Sequence, residues 1–168
     1  TSNGTVGSNP TPTAMGGKNQ WAKVLAGSSP APSACHANFM LGLPEQFIIF
    51  DTEFTAWEGS QARRWGGPNE YRELVEIGAV TVSSEDLTER SAFDVFIRPE
   101  KNPVLSDYFM QLTGITQATV DAEGVGLKTA LERFKDWCGG LLLYSYGTDE
   151  QVLIENCALE GVPFPFPA

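Results

Sequence analysis

The sequence predicts an α/β fold built on a mixed sheet, and three observations carry that expectation. Phe47-Ile48-Ile49-Phe50 is a continuous apolar run, the signature of a strand buried on both faces and therefore central in a sheet covered by helices. Two β-rich runs follow it across polar connections, as in a meander. Beyond them, helical and strand patterns alternate, which lays helices against the sheet.

Residues 1–43 are rich in Gly, Ser, Thr, Pro, Ala and Asn, and their apolar residues follow neither a period of 2 nor one of 3.6. They read as a flexible tail preceding a domain over 44–168. Trp21-Ala22-Lys23-Val24-Leu25 has the make-up of a short docking segment but receives no function. The first strand covers Phe47 to Phe50. The second covers Leu74 to Val82 and ends in the turn-like Ser83-Ser84-Glu85-Asp86, and the third covers Ala92 to Arg98 and stops at Pro99. The three are expected to be joined by short connections. Leu127, Ala130, Leu131, Phe134 and Trp137 then form one apolar stripe at helical spacing, closed by Gly139-Gly140. Leu141 to Tyr146 reads as a fourth strand. Thr148 and Gln151 have the spacing of a capping box that opens a last helix.

Composition narrows the function classes. A chain of 168 residues with 42% hydrophobic content holds one domain with a core, and no apolar run approaches the ~18 residues of a membrane span. Eleven basic against 21 acidic residues give a net charge of −10. Residues 1–40 contain Lys18 and Lys23 but no acid, so the acidic charge belongs to the domain. Such a field repels phosphate backbones unless cations or clusters such as Arg63-Arg64 offset it locally. Cys35, Cys138 and Cys157 are an odd set without close pairs, and His36 is the single histidine, so neither a disulfide framework nor a zinc site is indicated. Cys138 and Cys157 read as buried apolar residues in a reducing, intracellular setting; cytoplasm, nucleus and organelle are not distinguished.

The sharpest local feature is Asp51-Thr52-Glu53, two carboxylates at i and i+2 where the apolar run ends. The period of a strand puts both on one side. Two anions held side by side repel unless a cation or a shared proton intervenes, and hard oxygen ligands suit Mg²⁺ or Mn²⁺. The alternative is a strand running out into a solvated acidic loop. Asp149, just past the fourth strand, opens onto the same crevice if that strand lies parallel to the first and beside it. An Asp in the first turn of a helix is also favoured by the helix dipole with no ligand.

Phe50-Asp-Thr-Glu-Phe-Thr55, Glu73-Leu-Val-Glu-Ile-Gly-Ala-Val80, Phe96-Ile-Arg-Pro99, Leu112-Thr-Gly-Ile-Thr-Gln117 and Tyr146-Gly-Thr-Asp149, in that order, resemble the DEDD (DnaQ-like) 3′-to-5′ exonucleases. The run Arg98 to Ser106 is most similar to the histone-mRNA and small-RNA 3′-end exoribonuclease group. The resemblance covers about residues 44–166. It implies an RNase H-like mixed sheet flanked by helices and two Mg²⁺ (or Mn²⁺) ions held by acids, among which Asp51, Glu53 and Asp149 match. It further implies hydrolysis of a terminal phosphodiester between two cations roughly 4 Å apart. Phe54, Thr55, Leu112 and Thr113 match positions that line the family's pocket for the terminal nucleotide. The implied partner is the single-stranded 3′ end of RNA.

One motif of that pattern is absent. The family's last element, a His with an Asp five residues later, supplies the general base and the fourth metal acid, and no such pair follows Asp149. The expected domain therefore lacks the C-terminal part of the fold, with little or no turnover from the chain as given. The alternative function is a non-catalytic binding or scaffolding module for a protein partner, using Trp57, Trp65 and the acidic surface. Trp57 and Trp65 flank Arg63-Arg64 in what reads as a long loop, either RNA-contacting or an ordinary surface loop. Two enzyme rivals are weaker. A haloacid-dehalogenase-type phosphatase needs Asp-x-Asp and a downstream lysine, which Leu141 to Asp149 does not offer, and an aspartic protease fails at Glu53.

Overall fold

In the computed structural model, which describes residues 42–166, β1 (Gln46–Phe54), β2 (Leu74–Ser83) and β3 (Glu89–Phe96) form an antiparallel meander. β4 (Leu143–Tyr144) joins β1 on its other side in parallel, so the order is β3-β2-β1-β4 and β1 is central. The tail reading of residues 1–43 and the docking reading of Trp21–Leu25 lie, apart from residues 42 and 43, outside the described residues. No helix among the described residues is long and apolar enough to cross a membrane.

Among the described residues four helices flank the sheet: α1 (Asp107–Thr113), α2 (Gln117–Glu123), α3 (Leu127–Cys138) and α4 (Asp149–Glu160). α1 and α2 were not anticipated because seven residues are too few to display an apolar period. Their caps mark them instead. The Ser106 hydroxyl accepts from the Phe109 amide and the Thr116 hydroxyl from the Thr119 amide, while Gly114 ends α1 in the left-handed region at φ 78°.

The connection from β1 to β2 runs over residues 55–73, long as the stretch around Trp57 and Trp65 suggests and unlike the short link of a simple meander, and its first part is a series of turns ending at the positive-φ residues Arg64 and Trp65. Two further expectations change. β4 pairs over only two residues, because positive-φ glycines at 139, 140 and 147 bend the chain away on both sides. The capping box also fails to form. Thr148 has φ −116° and ψ 14°, short of the extended conformation a capping side chain needs, and Gln151 bonds to Glu155 instead.

The core lies mainly between the sheet and the pair α3 and α4. Ile48 and Phe50 of β1, with Ile77, Ala79 and Val95 from the neighbouring strands, meet Leu127, Ala130, Leu131 and Phe134 of α3 and Val152 and Leu153 of α4. Cys138 and Cys157 are buried free thiols in this layer, as expected. The opposite face carries two smaller clusters. Val75 and Phe96 pack against Phe109 of α1 and Val120 of α2, and at the other end Phe47, Val80 and Val82 pack with Leu43 and Ile49.

Polar staples fix α4 as firmly as its apolar contacts do. Asn156, 1% exposed, accepts from the Leu74 amide through Oδ1 and donates through Nδ2 to the carbonyls of Arg72 and Val152. Truncation would leave the buried Leu74 N–H and the partly buried Arg72 carbonyl without these partners. Asn156→Ala is expected to destabilise the chain by about 2–3 kcal/mol. Urea denaturation checks this, and a loss below about 0.5 kcal/mol would count against the staple.

Candidate active site

The site is generated by alternation along β1. Register pairing sets Asp51 opposite Gly78 and Glu53 opposite Glu76, and Gly78 opposite Asp94 on β3. Directly paired residues share a sheet face, so Asp51, Glu53, Glu76 and Asp94 stand on one side, in a polar stretch between the two small apolar clusters. Thr52, between the two β1 acids, points the other way, toward the helices. There it meets Asp149, whose Oδ1 accepts from the Thr52 amide at 3.1 Å and the Thr52 hydroxyl at 2.7 Å. Parallel pairing of β4 with β1 makes this meeting possible, because it delivers the start of α4 to the strand that carries the other two acids.

Proximity registers in the electrostatics. Burial, then the charge of Asp149, pushes Asp51 up to about 6. Burial, then the charges of Asp51 and Asp149, pushes Glu53 up to about 7. Glu76 rises further, to about 8, through burial and hydrogen bonding to Asp94, with Glu53 and Asp51 adding repulsion. Like charges and lost hydration act in the same direction here, and among the described residues no basic side chain offsets them.

Phe54 faces away from Glu53. Its ring packs on Trp65 at a centroid distance of 5.4 Å, and the Arg72 guanidinium lies over both rings at 5.9 and 5.5 Å. Arg72 is in turn paired with Glu155 of α4. The Thr55 hydroxyl is buried, donating to the Tyr71 carbonyl and accepting from the Glu73 amide, so it ties the two ends of the long loop together. Leu112 is 47% exposed on α1, and the Thr113 hydroxyl donates to the Phe109 carbonyl and accepts from the Ile115 amide. α1 is anchored beside the site because the Ser106 hydroxyl donates to the carbonyl of Ala56, three residues beyond Glu53.

The loop pair Arg63-Arg64 divides. Arg63 is engaged by Glu70 in a fork that also receives the Gly67 amide, whereas Arg64 is exposed. Trp65 is fixed by its indole N–H, which donates to the Thr55 carbonyl at 3.0 Å.

Three residues that matter to the site had escaped the sequence reading. Thr52 and Asn156 hold α4 to the sheet. Glu73, 1% exposed, accepts the amides of Lys101 and Asn102 on its two oxygens and so sets the approach to α1. Asn156 stands seven residues after Asp149, two helical turns on the same face, and that spacing is the one signal that could have exposed it.

The donor set fits a hard divalent cation. It consists of carboxylate oxygens alone, and burial together with the charge of Asp149 holds the carboxyls of Asp51 and Glu53 above their ordinary range, a cost that a cation would relieve. Among the described residues no three metal-ligating side chains already enclose a common point.

Comparison with known proteins places this geometry. Residues 48–159, more than half of the chain, match the exonuclease family RNase_T. The chain is 36% identical over 93 residues to ERI1 exoribonuclease 2 of Xenopus laevis, covering 55% of this chain and 12% of that protein. It is 30% identical over 139 residues to the human 3′-5′ exoribonuclease 1, covering 77% of this chain and 38% of that one. The chain thus spans well under half the length of these relatives. Among solved structures, the nuclease domain of 3′hExo, a DEDDh family member bound to rAMP, superposes with a TM-score of 0.61 at 30% identity, over 72% of this chain and 62% of that one. The mixed four-stranded sheet and its flanking helices accord with these matches: the chain belongs to the RNase_T exonuclease family and has its RNase H-like, DEDDh-type fold.

Proposed function

We propose that this chain is a Mg²⁺-dependent 3′-to-5′ exonuclease domain acting on single-stranded RNA ends. The observation that carries the reading is the convergence of α4 on β1, with Asp149 bonded to the residue between Asp51 and Glu53. Asp51, Glu53 and Asp149 would hold the metal. Bound divalent ions supply a nucleophile near neutral pH and offset charge on the phosphate oxygens. Phe54, Thr55, Leu112 and Thr113 would border the terminal nucleotide. Exposed Leu112 offers an apolar surface to a base of any identity, whereas Thr55 contributes through its backbone, its hydroxyl being committed to the loop. RNA is favoured over DNA because the relatives named above are exoribonucleases, or are bound to rAMP.

The second reading is a non-catalytic binding module, and what divides the two is a His-x-x-x-x-Asp motif, which does not occur between Asp149 and Ala168. The two separate in one experiment. A protein that continues the chain into such a motif is expected to shorten a 5′-labelled RNA stepwise from its 3′ end with Mg²⁺. Asp51→Ala should lower that rate by at least about 10³-fold, and the chain as given should fall short by a similar factor. Robust cleavage in excess EDTA would overturn the reading, and RNA binding without shortening by the extended protein would select the binding module.

The raised carboxyls predict a pH dependence of stability. Asp51 and Glu53 take up protons at about 6 and 7 in the folded chain but near 3.8 and 4.5 when unfolded. Between these limits the folded state binds more protons, so stability falls as pH rises from about 4.5 to 7.5. In EDTA the Tm is expected to drop across that window. Saturating Mg²⁺ should flatten the slope, and Asp51→Asn with Glu53→Gln should reduce it, Glu76 and Glu160 retaining a contribution of the same sign. A Tm in EDTA that holds constant or rises across that window would contradict the assignment.

A further inference from the structure

We propose that Thr52 is the positioning residue of the metal site, fixing which oxygen of Asp149 is left for a cation. The inference rests on the metal-site reading above and deepens it. Thr52 and Asp149 are each 5% exposed and lie 97 residues apart in sequence. Both Thr52 donors, the amide at 3.1 Å and the hydroxyl at 2.7 Å, converge on Oδ1 of Asp149, and Oδ2 receives no hydrogen bond among the described residues.

Two donors on one oxygen fix the carboxylate as one alone cannot. The amide belongs to the strand and cannot move without it, and the hydroxyl sits on a β-branched side chain with few rotamers. Together they pin Oδ1 and leave Oδ2 outside the Thr52 contact. Side-chain order along β1 then becomes functional: the residue facing the helices orients the acid arriving from α4, while the residues facing the other way supply the remaining acids. An aliphatic residue at 52 would satisfy the core equally well and would keep the amide bond, but it would leave Oδ1 held at one point and free to swing.

The test uses Mn²⁺ alone as probe, titrated into the chain and followed by the EPR signal of free Mn²⁺, so that turnover plays no part. Thr52→Val is expected to weaken Mn²⁺ binding by about 10–100-fold, as loss of a ligand-orienting hydrogen bond does. Thr52→Ser, which restores the hydroxyl, should bind within about twofold of the unsubstituted chain. Val120→Ala, a comparable loss in the α1–α2 cluster, should leave Mn²⁺ affinity unchanged while lowering Tm. Should Val at 52 prevent folding, Thr52→Ala reads the same quantity.

Equal Mn²⁺ affinity in Thr52→Val and the unsubstituted chain would overturn the positioning role while leaving the metal site standing. An equal loss in Val120→Ala would also overturn it, by reducing the effect to general destabilisation. No Mn²⁺ binding by the unsubstituted chain would sink the metal-site reading and this inference with it.

Discussion

The alternation of side chains along β1 is the constraint from which the site follows. Nine residues of extended backbone send Ile48, Phe50 and Thr52 into the helical layer and Asp51 and Glu53 onto the opposite face. A shift of one residue in its pairing would exchange the two sets, burying both carboxylates against α3 and exposing the core residues. Pairing with β2 along nearly the whole strand makes that shift prohibitively costly, so the acids are placed by the same hydrogen bonds that build the sheet.

α4 answers that constraint from the other end of the chain. Its apolar contribution is modest, with Val152, Leu153 and Cys157 in the core, and its polar residues settle how it lies. Asp149 and Asn156, on one face two turns apart, reach Thr52 and the start of β2. Polar docking of this kind is directional where apolar packing is not, so it specifies an orientation as well as an association. A helix that had only to cover a sheet could slide by a residue. One that must satisfy the Leu74 amide and seat a carboxylate on Thr52 cannot.

Much of this was legible in the residues, for identifiable reasons. The apolar run at Phe47 to Phe50 fixed the central strand, and the i, i+3, i+4, i+7 stripe from Leu127 to Phe134 fixed α3, because both patterns arise from burial on known faces. Asp51 and Glu53 stood out because charge at the end of a buried strand is costly without a purpose, and Asp149 because of its place after a fourth strand. What could not be read was non-local. The Thr52 to Asp149 bonds span 97 residues, and nothing near either residue announces the other. α1 and α2 were hidden by their brevity, although Ser106 and Thr116 sit where caps belong. The capping box at Thr148 was a local pattern overruled by the tight chain reversal through Gly147, which leaves Thr148 outside the extended region.

The knot formed by Thr55, Tyr71 and Glu73 has a bearing on genetics. Thr55 closes the long loop on itself, and Glu73 carries that closure onward to the backbone at Lys101 and Asn102, just ahead of α1. The end of the acid-bearing strand and the helix beside it therefore share one pin whose two central side chains, Thr55 and Glu73, are buried. A random-mutagenesis screen scored only on phenotype would recover hits at these positions alongside the acids themselves. Sorting such alleles by chemistry rather than by severity would separate those that break the pin from those that remove a ligand.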